Sequence, residues 1–351
     1  MEILILVFII ILLFGIEIRN NFKDEGYLSK NHTLCCKGLL SLLIVFCHIQ
    51  YNRTYLEQFK IFNYAGNFIV SIFFFYSGYG IMFNYIIKGI EYKKKFLKKR
   101  ILKILEIYLI FNLIYIFVDL LLGIDISNII LNKELIVSHS WYIVDTLILY
   151  FGYWISIKIS NNNNIIVLFN FIYGCLIIKI LNCVNLDTYW YITVLNFPLG
   201  IIYSILKEKI DKIVLKDIDK DNIRYVIDSF MTLGLFFILL IIWIQNIDYI
   251  IKILVYMLAT IIFINMGRFI KFKNHTFEFL GKISMEVYLT HGLLEIIGQK
   301  IYIIDNNNFL YGCFVISGTI IIGIILNKVF AKIFKGGNNE NISSKSDLIH
   351  I

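Results

Sequence analysis

A single proline, Pro198, interrupts 351 residues, and only 17% of them are charged. A water-soluble domain carries about 25% charged and 45 to 50% apolar residues. Here the apolar share is 59% and the mean hydropathy is +0.76, which excludes an ordinary soluble fold. Six cysteines (Cys35, Cys36, Cys47, Cys175, Cys183 and Cys313) show no C-x-x-C spacing, and four lie inside apolar runs. Neither a disulfide framework nor a zinc pattern follows from them, and no metal is expected. No internal repeat stands out, and no soluble stretch is long enough to form a core of its own. The net charge of +8 suits a membrane chain whose cytoplasmic loops collect Lys and Arg, so no nucleic-acid partner is implied.

What is present is a succession of Ile-, Leu-, Phe- and Tyr-rich runs. Spans of about 20 residues are needed to cross a bilayer, and candidates lie near 3–18, 34–52, 65–87, 101–122, 140–157, 165–182, 188–206, 225–245, 249–267, 283–303 and 309–333. The reading is an all-α integral membrane protein with about eleven transmembrane helices. The run at 3–18 lacks the basic start and small-residue cleavage site of a secretory signal, so it is counted as a helix. Cytoplasmic loops should hold most of the basic residues. With the 88–103 loop placed in the cytoplasm, alternation puts 27 of the 33 Lys and Arg on that side and five on the other, Lys179 lying within a span. The N-terminus is therefore expected outside and the C-terminus in the cytoplasm. The chain divides into an N-terminal span and loop at 1–33, a main membrane domain at 34–335, and a polar tail at 336–351 expected to be disordered.

Ionisable groups inside spans are costly unless they meet a partner or water, so each is a functional candidate. Lys37 and His48 are eleven residues apart, about 20° in azimuth and about 16 Å in rise on a helix; with Ser41 and Asn52 they make a polar seam. Ser284, Tyr288, His291 and Glu295 form a second stripe, with Glu295 one turn from His291. This stripe either glues helices together or lines a cavity. Trp141 and Tyr142 follow His139 and Ser140 at the outer interface, where aromatic belts are common. Asp145, a turn deeper, is at a depth to approach His48 and hold its tautomer. Phe74 to Gly80 carries Ser77 and two glycines, which either allow close helix packing or let a ligand near the backbone. Lys99, Arg100 and Lys103 share one cytoplasmic face suited to phosphates. Glu106, Asp119 and Glu286 are expected to snorkel toward span ends, and Pro198 to kink its span.

The stretch Leu34-Cys-Cys-Lys37-Gly38 through His48 resembles the basic-x10-His opening of membrane acyltransferase family 3, the multispan O-acyltransferases of cell-surface sugars. Phe73 to Gly80 resembles that family's F-F-x-x-S-G-[FY] segment, Arg100 to Lys103 its R-x-x-R run, and His139 to Tyr142 its H-x-W-[FY] start of a middle span. Phe279 to His291 resembles its late L-G-x-x-S-x-x-[IV]-Y-L-x-H motif. In this chain Lys37 and Lys103 stand where the family has arginine, losing the bidentate fork, and 1–33 adds a span to the common ten.

The resemblance implies transfer of an acyl group, most often acetyl, from cytoplasmic acyl-CoA to a hydroxyl of a cell-surface or exported glycan or glycolipid. It implies a plasma membrane of the bacterial type. Catalytic roles fall to His48, as general base or acyl relay, with Asp145 and His291. Binding falls to Lys37, Arg100, Lys103, Ser77, Trp141, Ser284, Tyr288 and Glu295. The alternative is a non-enzymatic flippase or exporter of a lipid-linked sugar, disfavoured because such proteins commonly show repeats.

Overall fold

Apolar runs that must satisfy every backbone group without water can do so as helices. The computed structural model describes residues 16–18, 25–52, 61–131, 134–215, 227, 229–236, 247–272 and 274–335. Its long helices are α1 (Lys30–Asn52), α2 (Ile61–Phe96), α3 (Lys103–Leu121), then a short α4 (Ile126–Leu131), α5 (Trp141–Ile159), α6 (Asn163–Cys183) and α7 (Asn196–Leu215). They continue as α8 (Tyr249–Met266), α9 (His275–Lys282), α10 (Ser284–Lys300), the single turn α11 (Tyr302–Asp305) and α12 (Asn308–Lys335). Six helical stretches among the described residues are long and apolar enough to cross a membrane, one of them covering both α2 and α3. Leu109, Leu113, Phe117 and Leu120 of α3, and Ile165, Leu168 and Ile172 of α6, are exposed on the outside of the bundle, a surface that only lipid can cover favourably.

The expected span at 283–303 is present as α10, which at 17 residues is shorter than the six and more polar. It tolerates that polarity because protein surrounds it, with Tyr288, His291 and Glu295 all buried. The expected span at 188–206 begins late, as α7, after a 3₁₀ turn at Thr188–Trp190. Pro198 is the reason, and it does not kink the helix: it occupies the first turn, where its missing N–H would have had no partner anyway. The run at 3–18 ends as a strand, β1 (Ile16–Ile18), paired antiparallel with β2 (Ile270–Phe272). The rest of that run, most of the 225–245 run and the 336–351 tail lie outside the described residues.

Two glycine pairs set the helix spacing. A Cβ on Gly38 would lie 1.9 Å from the Phe277 carbonyl oxygen, and one on Gly281 would lie 2.1 Å from that of Leu34. α1 and α9 therefore touch backbone to backbone. Gly78 and Gly200 do the same for α2 and α7, facing the carbonyls of Phe197 and Phe75, while Gly80 faces open space. The close-packing alternative thus holds for Gly78.

Contacts between loops sort the helix ends into two sets. Lys93 donates to Asn161 at 3.0 Å, joining the 88–103 and 158–164 segments. Asp211 sits 2.5 Å from Arg268, receives Lys207 at 2.7 Å and accepts from the Tyr27 hydroxyl at 2.9 Å, joining three further loops. At the other end, Trp141 packs on Tyr189 and Trp190, and Tyr191 on Tyr249.

Candidate functional site

His48 lies near the end of α1, and its ring turns into the bundle. It stacks on His139 at 3.8 Å between centroids and stands 5.0 Å from His291 on α10. His139 and His291 are 5.4 Å apart, completing a triangle of imidazoles. His291 is fully buried, and neither of its ring nitrogens has a well-formed hydrogen bond, the carbonyls of Val287 and Tyr288 in the preceding turn being its nearest acceptors. An unsatisfied buried polar atom costs about 1 to 3 kcal/mol, a penalty that marks functional sites more often than scaffolds.

His139 is held by the segment ahead of α5 in a left-handed conformation (φ 61°) that non-glycine residues seldom adopt. Three features keep it there. The Tyr288 hydroxyl of α10 donates to its carbonyl oxygen. Its Nε2 meets the Glu295 carboxylate at 3.3 Å. Gly292 lets the segment approach α10, because a Cβ there would come within 2.9 Å of Ser138 and 3.0 Å of the Tyr115 hydroxyl. Tyr115 in turn donates to the Leu289 carbonyl at 3.1 Å, fastening α3 to the same turn of α10.

Of the residues expected at the site, His48, His291, Tyr288 and Glu295 come together. Glu295 is an electrostatic neighbour of His291, as its place one turn away implies, and its carboxylate also meets His139, which was not expected. Asp145 does not hold His48. Its carboxylate is buried on α5 with neither oxygen hydrogen-bonded, and it lies nearer Tyr288. The carboxylate that orients an imidazole is Glu295, on the helix against which Ser138 and His139 pack. Trp141 belongs to the aromatic rim with Tyr189 and Trp190. Ser284 is buried at the opposite end of α10, seven residues or about 10 Å from His291.

A second polar group lies at the inner end of the same helix α1. Lys37 is buried, and Arg100 is its electrostatic neighbour; Arg100 also neighbours Lys103 and the Tyr150 hydroxyl. Arg100 sits in a π-helical turn, Leu97–Leu102, a wider winding that is frequent at functional sites. Ser77 joins this group through its 2.6 Å hydrogen bond with Tyr150. Ser41, buried and bonded to the Gly38 carbonyl at 2.9 Å, marks the seam between the two ends. Glu286 and Asp119 do not snorkel. Glu286 is buried and accepts from Asn327 at 2.8 Å, and Asp119 is buried with no hydrogen bond, since neighbouring helices cover both positions. Glu106 is exposed, as expected.

His139 is the residue that sequence reasoning left out of the site. The signal was available in the H-x-W-[FY] match, but a histidine at a helix entrance reads as interfacial until the loop carrying it is seen to fold inward. None of the six cysteines forms a disulfide; Cys35, Cys36 and Cys47 are buried, and the thiols of Cys35 and Cys36 meet the Asn274 carbonyl at 3.7 Å and the His32 ring at 3.6 Å, so these two are more than apolar filler.

Residues 35–328 match acyltransferase family 3, described as an acyltransferase domain. No curated protein and no solved structure matches the chain.

Proposed function

Because the chain belongs to acyltransferase family 3 and is a multi-pass membrane protein, we propose that it transfers an acyl group, acetyl in the first instance, from cytoplasmic acyl-CoA to a glycan hydroxyl. The observation that carries this reading is the pairing of two chemically different ends along α1: a buried cationic group around Lys37 and Arg100, and an imidazole triangle at His48. Cations and hydroxyls at the inner end suit the phosphates of CoA. The seam past Ser41 leads the thioester toward the imidazoles.

In this reading His48 accepts the proton of the acceptor hydroxyl as its oxygen attacks the thioester carbonyl. The tetrahedral intermediate collapses, the C–S bond breaks, and the departing CoA thiolate takes the proton back from His48. Acid–base help of this kind contributes about 10² to 10⁴ in rate. Tyr288 and Glu295 act as positioning residues, since their polar atoms are engaged with His139. Trp141 and its aromatic neighbours form a platform on which a sugar ring can stack.

Eleven spans with the N-terminus outside and the C-terminus in the cytoplasm belong to the same proposal, as does a bacterial-type plasma membrane. The loop contacts support the sidedness: those through Lys93 and Asp211 join segments that charge sorting assigned to one side.

The deciding experiment supplies purified protein in detergent with radiolabelled acetyl-CoA and a panel of surface glycans. Acetyl should pass to one of them with release of free CoA, and His48→Ala should lower the rate by about 10²-fold or more. Wild-type turnover by His48→Ala would remove His48 from the mechanism.

A further inference from the structure

The imidazole triangle has a geometry that proton transfer does not require. One ring nitrogen from each of His48, His139 and His291 lies within 4.8 Å of the others, the one such grouping of three among the described residues. Stacked neutral histidines in a packed bundle ordinarily spend their nitrogens on carbonyls or hydroxyls. Here the fully buried His291 has no well-formed hydrogen bond at either nitrogen; only the carbonyls of Val287 and Tyr288, in the preceding turn of its own helix, come near. Only the outward nitrogen of His139 is engaged, and its partner is a carboxylate, Glu295 Oε2 at 3.3 Å. A carboxylate accepting from Nε2–H fixes the tautomer that leaves the lone pair on Nδ1, free for a ligand. That is the outer-sphere arrangement that metal-binding histidines use to hold their orientation.

We infer that His48, His139 and His291 form a binding site for a divalent first-row transition cation, zinc above all, with Glu295 as the outer-sphere partner of His139. Three neutral nitrogen ligands suit zinc, and hard cations such as magnesium and calcium prefer oxygen. Three protein ligands leave the fourth tetrahedral position open, as in catalytic zinc sites. Zinc–nitrogen bonds of about 2.0 to 2.1 Å require the rings to draw together. His48 and His139 are only partly buried, and His139 rides on the segment between helices, so side-chain rotation supplies the movement. The use of the ion rests on the acyltransfer reading and changes the role of His48 within it from base to ligand: an acceptor hydroxyl in the open position would lose its proton more readily, and that proton would pass to the departing CoA thiolate as the C–S bond breaks.

The test is direct metal binding by the whole protein. Detergent-purified protein is stripped with a chelator, desalted and titrated with Zn²⁺ alone by calorimetry, and in parallel with Co²⁺, whose visible absorption reports tetrahedral nitrogen coordination. The expected result is one ion per chain, with affinity falling at least tenfold in His139→Gln and His291→Gln and about tenfold in Glu295→Gln, the range for outer-sphere partners. Thermal melting of each variant in the absence of metal separates lost ligands from lost fold. No saturable binding by wild-type protein, or equal binding by variants that melt as the wild type does, overturns the site. Acetyl transfer by a protein that binds no ion would sink the metal and spare the enzyme. Stoichiometric binding without transfer to any acceptor would do the reverse.

Discussion

Gly292 shows how one side chain's absence creates the site. It lies beside His291, and the space where its Cβ would sit is taken by Ser138 and Tyr115, so the segment bearing His139 can close over α10. Gly292→Ala is expected to push that segment out, lowering acetyl transfer by at least tenfold at a stability cost of about 1 to 3 kcal/mol, in the range of overpacked cores; transfer at the wild-type rate would show that His139 is not needed close by. Lys37 and Arg100 make the complementary case. Lys37→Gln and Arg100→Gln should each raise KM for acetyl-CoA several-fold more than they lower kcat, measured by steady-state kinetics in micelles, because their proposed contacts are with a part of the donor remote from the reacting carbonyl. At this scale the sequence was informative about His48, His291 and the two cations, since spacing on one helix fixes azimuth and depth. It was silent about which carboxylate meets which imidazole. Asp145 and Glu295 lie at comparable depth, and only the packing of α5 against α10 decides between them.

Helices meet here through backbone contact and a few buried charges. The Asp211 cluster joins α7, the Tyr27 turn and Arg268, two residues after α8, with the Arg268 guanidinium lying 4.0 Å over the Tyr27 ring. Burial alone would raise the Asp211 carboxyl, but hydrogen bonds from Lys207, Arg268 and Tyr27 and the guanidinium charge outweigh it and hold the group below the usual carboxylate range. A carboxyl depressed in the folded state contributes stability above its unfolded value, near 3.9, and loses it as pH falls through the folded value. Thermal melts should thus show a stability contribution that is full near neutrality and shrinks below about pH 4; Asp211→Asn should flatten that acid limb. Arg268→Ala, which leaves the carboxylate buried and short of its main partner, should cost about 3 to 5 kcal/mol. Element positions were largely readable because apolar runs of span length have few alternatives. The ends were harder: Pro198 looked like a kink from within a run and proved to be a start, and residues 16–18 looked helical until β2 offered them an edge to pair with.

For the whole molecule the main prediction concerns sidedness. In sealed vesicles of known orientation, a cysteine introduced at Lys94 should react with an impermeant maleimide only from the cytoplasmic face, and one at Asn306 only from the opposite face, in a chain whose exposed Cys175 and Cys183 have been replaced. Labelling of both from one face would break the proposed alternation. Charge sorting could reach this far because Lys and Arg distribution obeys the biology of insertion, whereas the closing of the 134–140 segment over α10 leaves no mark on hydropathy. The three histidines that meet at the centre are supplied by positions 48, 139 and 291 of one chain. A nascent polypeptide halted before its late helices enter the bilayer lacks the last of them, so a ribosome that stalls or a protease that trims the final third leaves behind a fragment in which the three rings cannot meet. On the proposed mechanism, such a remnant has no assembled centre with which to waste thioester by hydrolysis.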